Sequence, residues 1–107
     1  MHCLDFHDRS VMVVGAGVGI GETIARSFGE AGAHLALTHL PGETGAQEVA
    51  EAMRREGREA LVEVVDSRDL TRVRRFVDTS FDVLGGLDVL VYNAGLTDPH
   101  PVLELTE

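Results

Sequence analysis

Along the chain, short apolar runs alternate with stretches in which apolar residues recur every three or four positions, the pattern of a parallel sheet covered by helices. Val11 to Val14 is an unbroken apolar run, as a strand buried on both faces requires, and Gly15 ends it at once. Ile24, Ala25, Phe28 and Ala31 then recur at helical spacing, with Gly32 as the stop. Leu35 to Leu37 predicts a second strand, Pro41 and Gly42 a turn, and Thr44 to Glu56 a helix with Val49 and Met53 on its inner face, closed by Gly57. A third strand is expected over Ala60 to Val65. Leu70, Val73, Phe76, Val77, Phe81 and Leu84 form the next helical stripe, which Gly85 and Gly86 close before a fourth strand over Leu87 to Tyr92. Pro99 and Pro101 break regular structure, and Thr106 with Glu107 reads as the opening turn of another helix. The class is α/β, with one core over residues 1–107 and no repeat beyond the strand and helix rhythm.

Composition narrows the partners. Hydrophobic residues make up 44% and charged residues 25% of the 107, ordinary values for a globular chain, so neither disorder nor a membrane class is favoured. Glycines interrupt the longest apolar run, Val11 to Ile20, and it falls short of the roughly 18 residues of a membrane helix. The first ten residues include Asp5, Asp8 and Arg9 and hold no apolar core for a signal peptide, so a cytoplasmic protein is expected. Eighteen acids against nine bases give a net charge of -9, which repels a phosphate backbone and argues against nucleic acid as a partner. The bases are all arginine, mostly in Arg54 to Arg58 and Arg68 to Arg75 among acids, as on solvated helix faces. Cys3 is the single cysteine, which excludes an internal disulfide and any thiolate-built zinc cluster. His34 and His39 share a side only through a bend, so no metal pair is expected, and His2, His7 and His100 read as surface residues.

The chemistry concentrates between the first strand and the first helix, in Val14-Gly15-Ala16-Gly17-Val18-Gly19-Ile20-Gly21. At such a junction the unpaired amides and positive dipole end of a helix bind phosphate, and glycine permits both the turn and close approach of a pyrophosphate. The spacing GxGxxG fails in both registers, because Ile20 or Glu22 holds the third glycine position, and no Lys-Ser or Lys-Thr follows to make a P-loop. What fits is GxxxGxG, as Gly15, Gly19 and Gly21.

With that spacing the sequence resembles the short-chain dehydrogenases/reductases, whose pattern here is TGxxxGxG. Phe6 before the first strand, Asp66 within Val65-Asp66-Ser67-Arg68-Asp69, and the run Gly86-Leu87-Asp88-Val89-Leu90-Val91-Tyr92-Asn93-Ala94-Gly95, similar to the family's fourth strand and NNAG motif, fall in family order. The resemblance implies a Rossmann-type doubly wound parallel sheet, here its first four strands in the order 3-2-1-4 with helices on both faces, truncated before the catalytic half. It implies that Gly15, Gly17, Val18, Gly19, Ile20 and Gly21 wrap the pyrophosphate, that Asp66 with Ser67 meets the adenine, and that Asn93, Ala94 and Gly95 line the nicotinamide-side ribose. Two positions depart from the pattern. Val14 stands in place of a threonine whose hydroxyl ties down the loop, and Tyr92 replaces the first asparagine of NNAG.

By the same resemblance the complete protein is an NAD(P)-dependent oxidoreductase that moves hydride between a nicotinamide cofactor and an alcohol or carbonyl substrate, and it forms a homo-oligomer through later helices. Family catalysis uses a serine and Tyr-x-x-x-Lys, none of which can be placed here; Tyr92 is followed four places on by Leu96, and the chain has no lysine. The 107 residues alone are therefore expected to be inactive. At the end of the second strand Thr38 and His39 occupy the place of the aspartate that holds the adenine ribose of NAD. With no acid at His39 to repel the extra phosphate, a repulsion of about 1 to 4 kcal/mol near 4 Å, NADP is favoured over NAD. Two other classes stay open: a non-catalytic dinucleotide-binding module, and an S-adenosylmethionine-dependent methyltransferase, against which Val13 and His39 stand where acids belong. Without following strands, Leu87 to Tyr92 is expected to form an open, association-prone edge.

Overall fold

The computed structural model describes residues 5–93, and it has seven elements in strict alternation: β1 (Ser10–Val14), α1 (Gly19–Glu30), β2 (His34–His39), α2 (Gly45–Arg55), β3 (Ala60–Val64), α3 (Leu70–Leu84) and β4 (Val89–Tyr92). The expectations for Cys3, His2, Ala94, Gly95, Leu96, Pro99, His100, Pro101, Thr106 and Glu107 lie outside the described residues. All four strands are parallel, in the order β3-β2-β1-β4, so the chain runs outward in one direction and returns to the far side of β1. That reversal makes the doubly wound sheet and opens a crevice at the carboxyl ends of β1 and β4.

Strand β1 explains why the sheet needs two covers. Its five residues are all buried, and the two-residue period sends Val11 and Val13 to one face and Met12 and Val14 to the other. On the first face, Leu35 and Leu37 of β2 join them under Ala25 of α1 and Val49 and Met53 of α2. On the second, Ala36 joins them under Val73 and Phe76 of α3. Helices thus cover both faces, and each fully buried Val or Leu contributes about 1.5–3 kcal/mol of transfer free energy.

The element boundaries differ from the sequence reading at the strand ends. Strand β2 runs on through Thr38 and His39, which pair in register with Glu63 and Val64 of β3, because a polar side chain does not stop a ladder whose backbone partner continues. Strand β4 starts at Val89 and not at Leu87. Asp88 occupies the junction, where its carboxylate accepts from Ser10 N at 2.8 Å and its own N–H donates to Ser10 O at 2.8 Å. Helix α1 begins inside the glycine motif, at Gly19. Gly85, at φ 80°, stops α3 in the left-handed conformation that glycine reaches without steric cost.

Among the described residues β4 pairs only with β1, and Leu90 is 53% exposed on it. An open strand with apolar side chains is a template for another chain. The 107-residue chain on its own should therefore self-associate as its concentration rises. Sedimentation velocity checks this, and a lone monomer peak at high concentration would contradict it.

Candidate functional site

The four strands are parallel, so the residues that follow them gather along one edge of the sheet: Gly15 after β1, Leu40 after β2, Asp66 after β3 and Asn93 after β4. The site is built from these four crossings.

At the first, Gly15 takes φ 90°, a left-handed turn that a residue with a Cβ rarely adopts. Its N–H donates to Thr38 Oγ1 at 3.0 Å, and the next amide, Ala16 N–H, donates to Thr38 O at 2.7 Å. Val14 lacks the hydroxyl that the family pattern places before the first glycine, and Thr38, fully buried on the neighbouring strand, supplies one to the glycine loop. Asn93 then binds the loop from the other side, with its N–H on Val14 O at 2.8 Å and its Nδ2 on Gly15 O at 3.1 Å. Gly21 completes the contact from within α1. A Cβ on it would overlap Gly15 O and stand 2.7 Å from Asn93 Nδ2. The first turn of the helix is thereby drawn down onto the end of β1.

The start of α1 is open to a ligand. Val18 is its N-cap in extended conformation and makes no side-chain cap, so the first amides of the helix keep neither an intrahelical acceptor nor a capping oxygen. Nothing lies within 4 Å of where a Cβ of Gly19 would stand. Backbone donors, a helix dipole of about half a unit charge and free space at Gly19 suit a bound phosphate and leave room for a pyrophosphate. Val18 and Ile20, 40% and 68% exposed, flank the opening with apolar surface. A nicotinamide dinucleotide therefore fits the residues present at this loop.

The second crossing departs from expectation. His39 ends β2 as anticipated, but the residue is buried, only 5% exposed. Its Nδ1–H donates to Leu40 O at 2.8 Å, and Nε2 is buried with no hydrogen-bond partner among the described residues. The ring packs inward and offers no surface nitrogen to a phosphate. The loop after it is fastened to the glycine loop by Gly45 N–H, which donates to Gly17 O at 3.0 Å.

At the third crossing Asp66 is held by Arg68, whose backbone N–H and Nε both donate to Oδ1, at 2.9 and 3.1 Å, while Nη2 donates to Oδ2 at 2.8 Å. These hydrogen bonds, with the guanidinium charge behind them, hold the Asp66 carboxyl down to about 2 against an ordinary 3.8. The side chain is thus a fixed anion with a lone pair of Oδ2 left for another donor. Beside it, the Tyr92 hydroxyl donates to Ser67 O, tying the end of β4 to the turn that opens α3. The phenol of Tyr92 thus finds the partner that an O–H on a packed strand needs.

The described part of the site therefore brings together Gly15, Gly17, Val18, Gly19, Ile20, Gly21 and Asn93, with Asp66 and Ser67 farther along the same edge and His39 tucked beneath it. The roles of Thr38 and Tyr92 in holding this edge have no sequence signal beyond polar groups near the ends of largely apolar strands, and only the contacts across the sheet reveal them. Among the described residues no three His, Cys, Asp or Glu gather as metal ligands; His34 accepts from Glu59 N at 3.0 Å and lies 3.8 Å from Asp8. No described helix is long and apolar enough to cross a membrane.

Parallel order 3-2-1-4 and a glycine turn at the switch point define a doubly wound protein of the dinucleotide-binding class. The chain belongs to the short-chain dehydrogenase family, whose sequence model matches residues 9–107. It is 34% identical over 101 residues to the L-rhamnose 1-dehydrogenase (NAD(P)(+)) of Azotobacter vinelandii, covering 92% of this chain and 40% of that protein. Its fold matches a short chain dehydrogenase from Burkholderia cenocepacia in complex with NADP at TM-score 0.80 and 35% identity, over 91% of this chain and 39% of the other. It also matches carveol dehydrogenase from Mycobacterium avium in complex with NAD, at TM-score 0.76 and 25% identity, over 83% and 36% respectively. The chain spans about 40% of the length of such relatives, the part that carries the glycine loop.

Two substitutions probe the geometry. Gly21→Ala forces a methyl group into Gly15 O, which should cost about 1–3 kcal/mol in denaturant unfolding and weaken nucleotide binding at least about tenfold; unchanged stability would contradict the close approach. For Asp66, the lowered folded value means that stabilisation is complete above the unfolded value of 3.8 and is lost as pH falls through about 2. Arg68→Ala should return Asp66 toward 3.8 in an NMR titration of its carboxyl carbon. A value that stays near 2 in that variant would show that Arg68 is not the cause.

Proposed function

We propose that this chain is the cofactor-binding part of an NAD(P)-dependent oxidoreductase that transfers hydride between the nicotinamide cofactor and an alcohol or carbonyl substrate. The observation that carries the reading is the uncapped start of α1, held against the end of β1 by the Gly15, Gly21 and Asn93 contact. In this reading the amides of Gly17 to Gly21 hold the pyrophosphate and Asp66 with Ser67 meets the adenine. Asn93 links the loop to the nicotinamide side, continued by Ala94 and Gly95. The bound dinucleotide supplies the hydride chemistry, and these residues bind and orient it.

Residues 1–107 form, on this proposal, one nucleotide-binding part of a single domain whose catalytic half and oligomer-forming helices belong to the longer protein. The absence of lysine, and with it of any Tyr-x-x-x-Lys, supports a chain that binds but does not turn over by itself. Calorimetry with ADP and NAD, paired with a nicotinamide absorbance assay on simple alcohols and ketones, tests both halves. One nucleotide should bind per chain with no turnover. Failure of ADP and NAD to bind at millimolar concentration would contradict the binding role, and turnover by the 107 residues would contradict their inactivity.

A further inference from the structure

We propose that Glu43 selects NAD over NADP, by placing at the ribose end of the loop the carboxylate that is missing from the end of β2. The inference rests on the dinucleotide reading above and reverses the preference drawn from His39 alone.

In doubly wound folds the ribose 2′ position lies at the end of the second strand, where an acid accepts the 2′-hydroxyl and a base receives a 2′-phosphate. Here the strand ends at His39, whose ring is packed inward, and the next residue carries the contact that matters. Leu40 N–H donates to Glu43 Oε1 at 2.9 Å, and Glu43 N–H donates back to Leu40 O at 3.2 Å. The carboxylate is thereby folded over the strand end. It also reaches the glycine loop: a Cβ on Gly17 would overlap Glu43 Oε1 and stand 2.7 Å from Glu43 Cβ. The lack of a side chain at Gly17 is what lets the acid lie there. The Gly45 to Gly17 hydrogen bond, at 3.0 Å, fixes the turn that carries it.

The surroundings have the same sign. Glu22 touches the far side of this junction, since a Cβ on Gly45 would overlap its Oε1. Arg26 lies 3.7 Å from Glu22 and is engaged there. Neither arginine nor lysine occurs between Arg26 and Arg54, and the loop position before Gly19 is Val18. A 2′-phosphate brought to the end of β2 would meet this carboxylate, and the arginines of the neighbouring strand end are already engaged, Arg68 with Asp66 at 2.8 Å and Arg72 with Glu63 at 3.5 Å and Val64 O at 3.2 Å. A 2′-hydroxyl would find an acceptor, because Oε1 has one donor and Oε2 has lone pairs to spare.

The test is calorimetric affinity for NAD, NADP and ADP on the intact protein, with Glu43→Gln and Glu43→Ala. The parent should bind NAD at least about tenfold more tightly than NADP, and added salt should narrow the gap by screening the carboxylate. Glu43→Gln keeps an oxygen for Leu40 N–H, so the turn persists, while the NADP-to-NAD affinity ratio rises by about tenfold or more. Glu43→Ala should move the ratio in the same direction; if it fails to fold, the glutamine variant and the salt dependence decide alone. A parent that binds NADP as tightly as NAD, or a ratio unmoved in Glu43→Gln, overturns this inference while ADP binding keeps the dinucleotide reading. Loss of ADP binding in the parent overturns both.

Discussion

The site turns on one close approach, in which the carbonyl of Gly15 receives Asn93 Nδ2 at 3.1 Å and leaves no room for a side chain on Gly21. Three elements meet at that oxygen: the end of β1, the start of α1 and the end of β4. A methyl group at Gly21 would push the helix away from the strand, and the amides of its first turn would no longer sit beside the sheet's switch point. Polarity and packing cooperate here. The apolar strand β1 is buried on both faces and so fixes where Gly15 lies, and the hydrogen bonds from Asn93 and to Thr38 Oγ1 then fix which way the loop leaves it.

The parallel arrangement carries this order along the edge. Each strand ends on the same side, so side chains distant in sequence become neighbours in function, and each crossing is stitched to the next. Thr38 accepts from the loop after β1, Gly45 donates to that loop's Gly17, and Tyr92 donates to the turn after β3. A chain covering about 40% of its relatives' length thus holds the described glycine loop together with bonds among its own residues.

Much of this was legible in the sequence, for physical reasons that differ by element. Strand β1 and the three helices follow from periodicity and from glycine stops, since burial and helix geometry act locally on consecutive residues. The loop was legible because glycines at 15, 19 and 21 answer to a turn, an open phosphate site and a close approach. The ends of β2 and β4 were less so: Thr38 and Asp88 are polar, and only their partners across the sheet show that one continues a ladder while the other caps it. For the same reason Thr38's hydroxyl could not be matched to the one missing at Val14, nor Tyr92 to Ser67. His39 has the expected position at the end of β2, but it is buried, and the acid that lies over the strand end is Glu43, in the loop beyond any pattern of the strand. Contacts between loops have no period along the chain.

On the proposed function, backbone amides at the mouth of α1 grip the paired phosphates of a nucleotide. Amide NMR during titration with ADP tests it most directly, because glycine amides resonate apart from most others and a bound phosphate shifts the proton it receives. The largest changes should fall on Gly17, Gly19, Ile20 and Gly21, with smaller ones at Asp66 and Asn93. Saturable binding that left those loop amides unmoved and shifted signals elsewhere would contradict it.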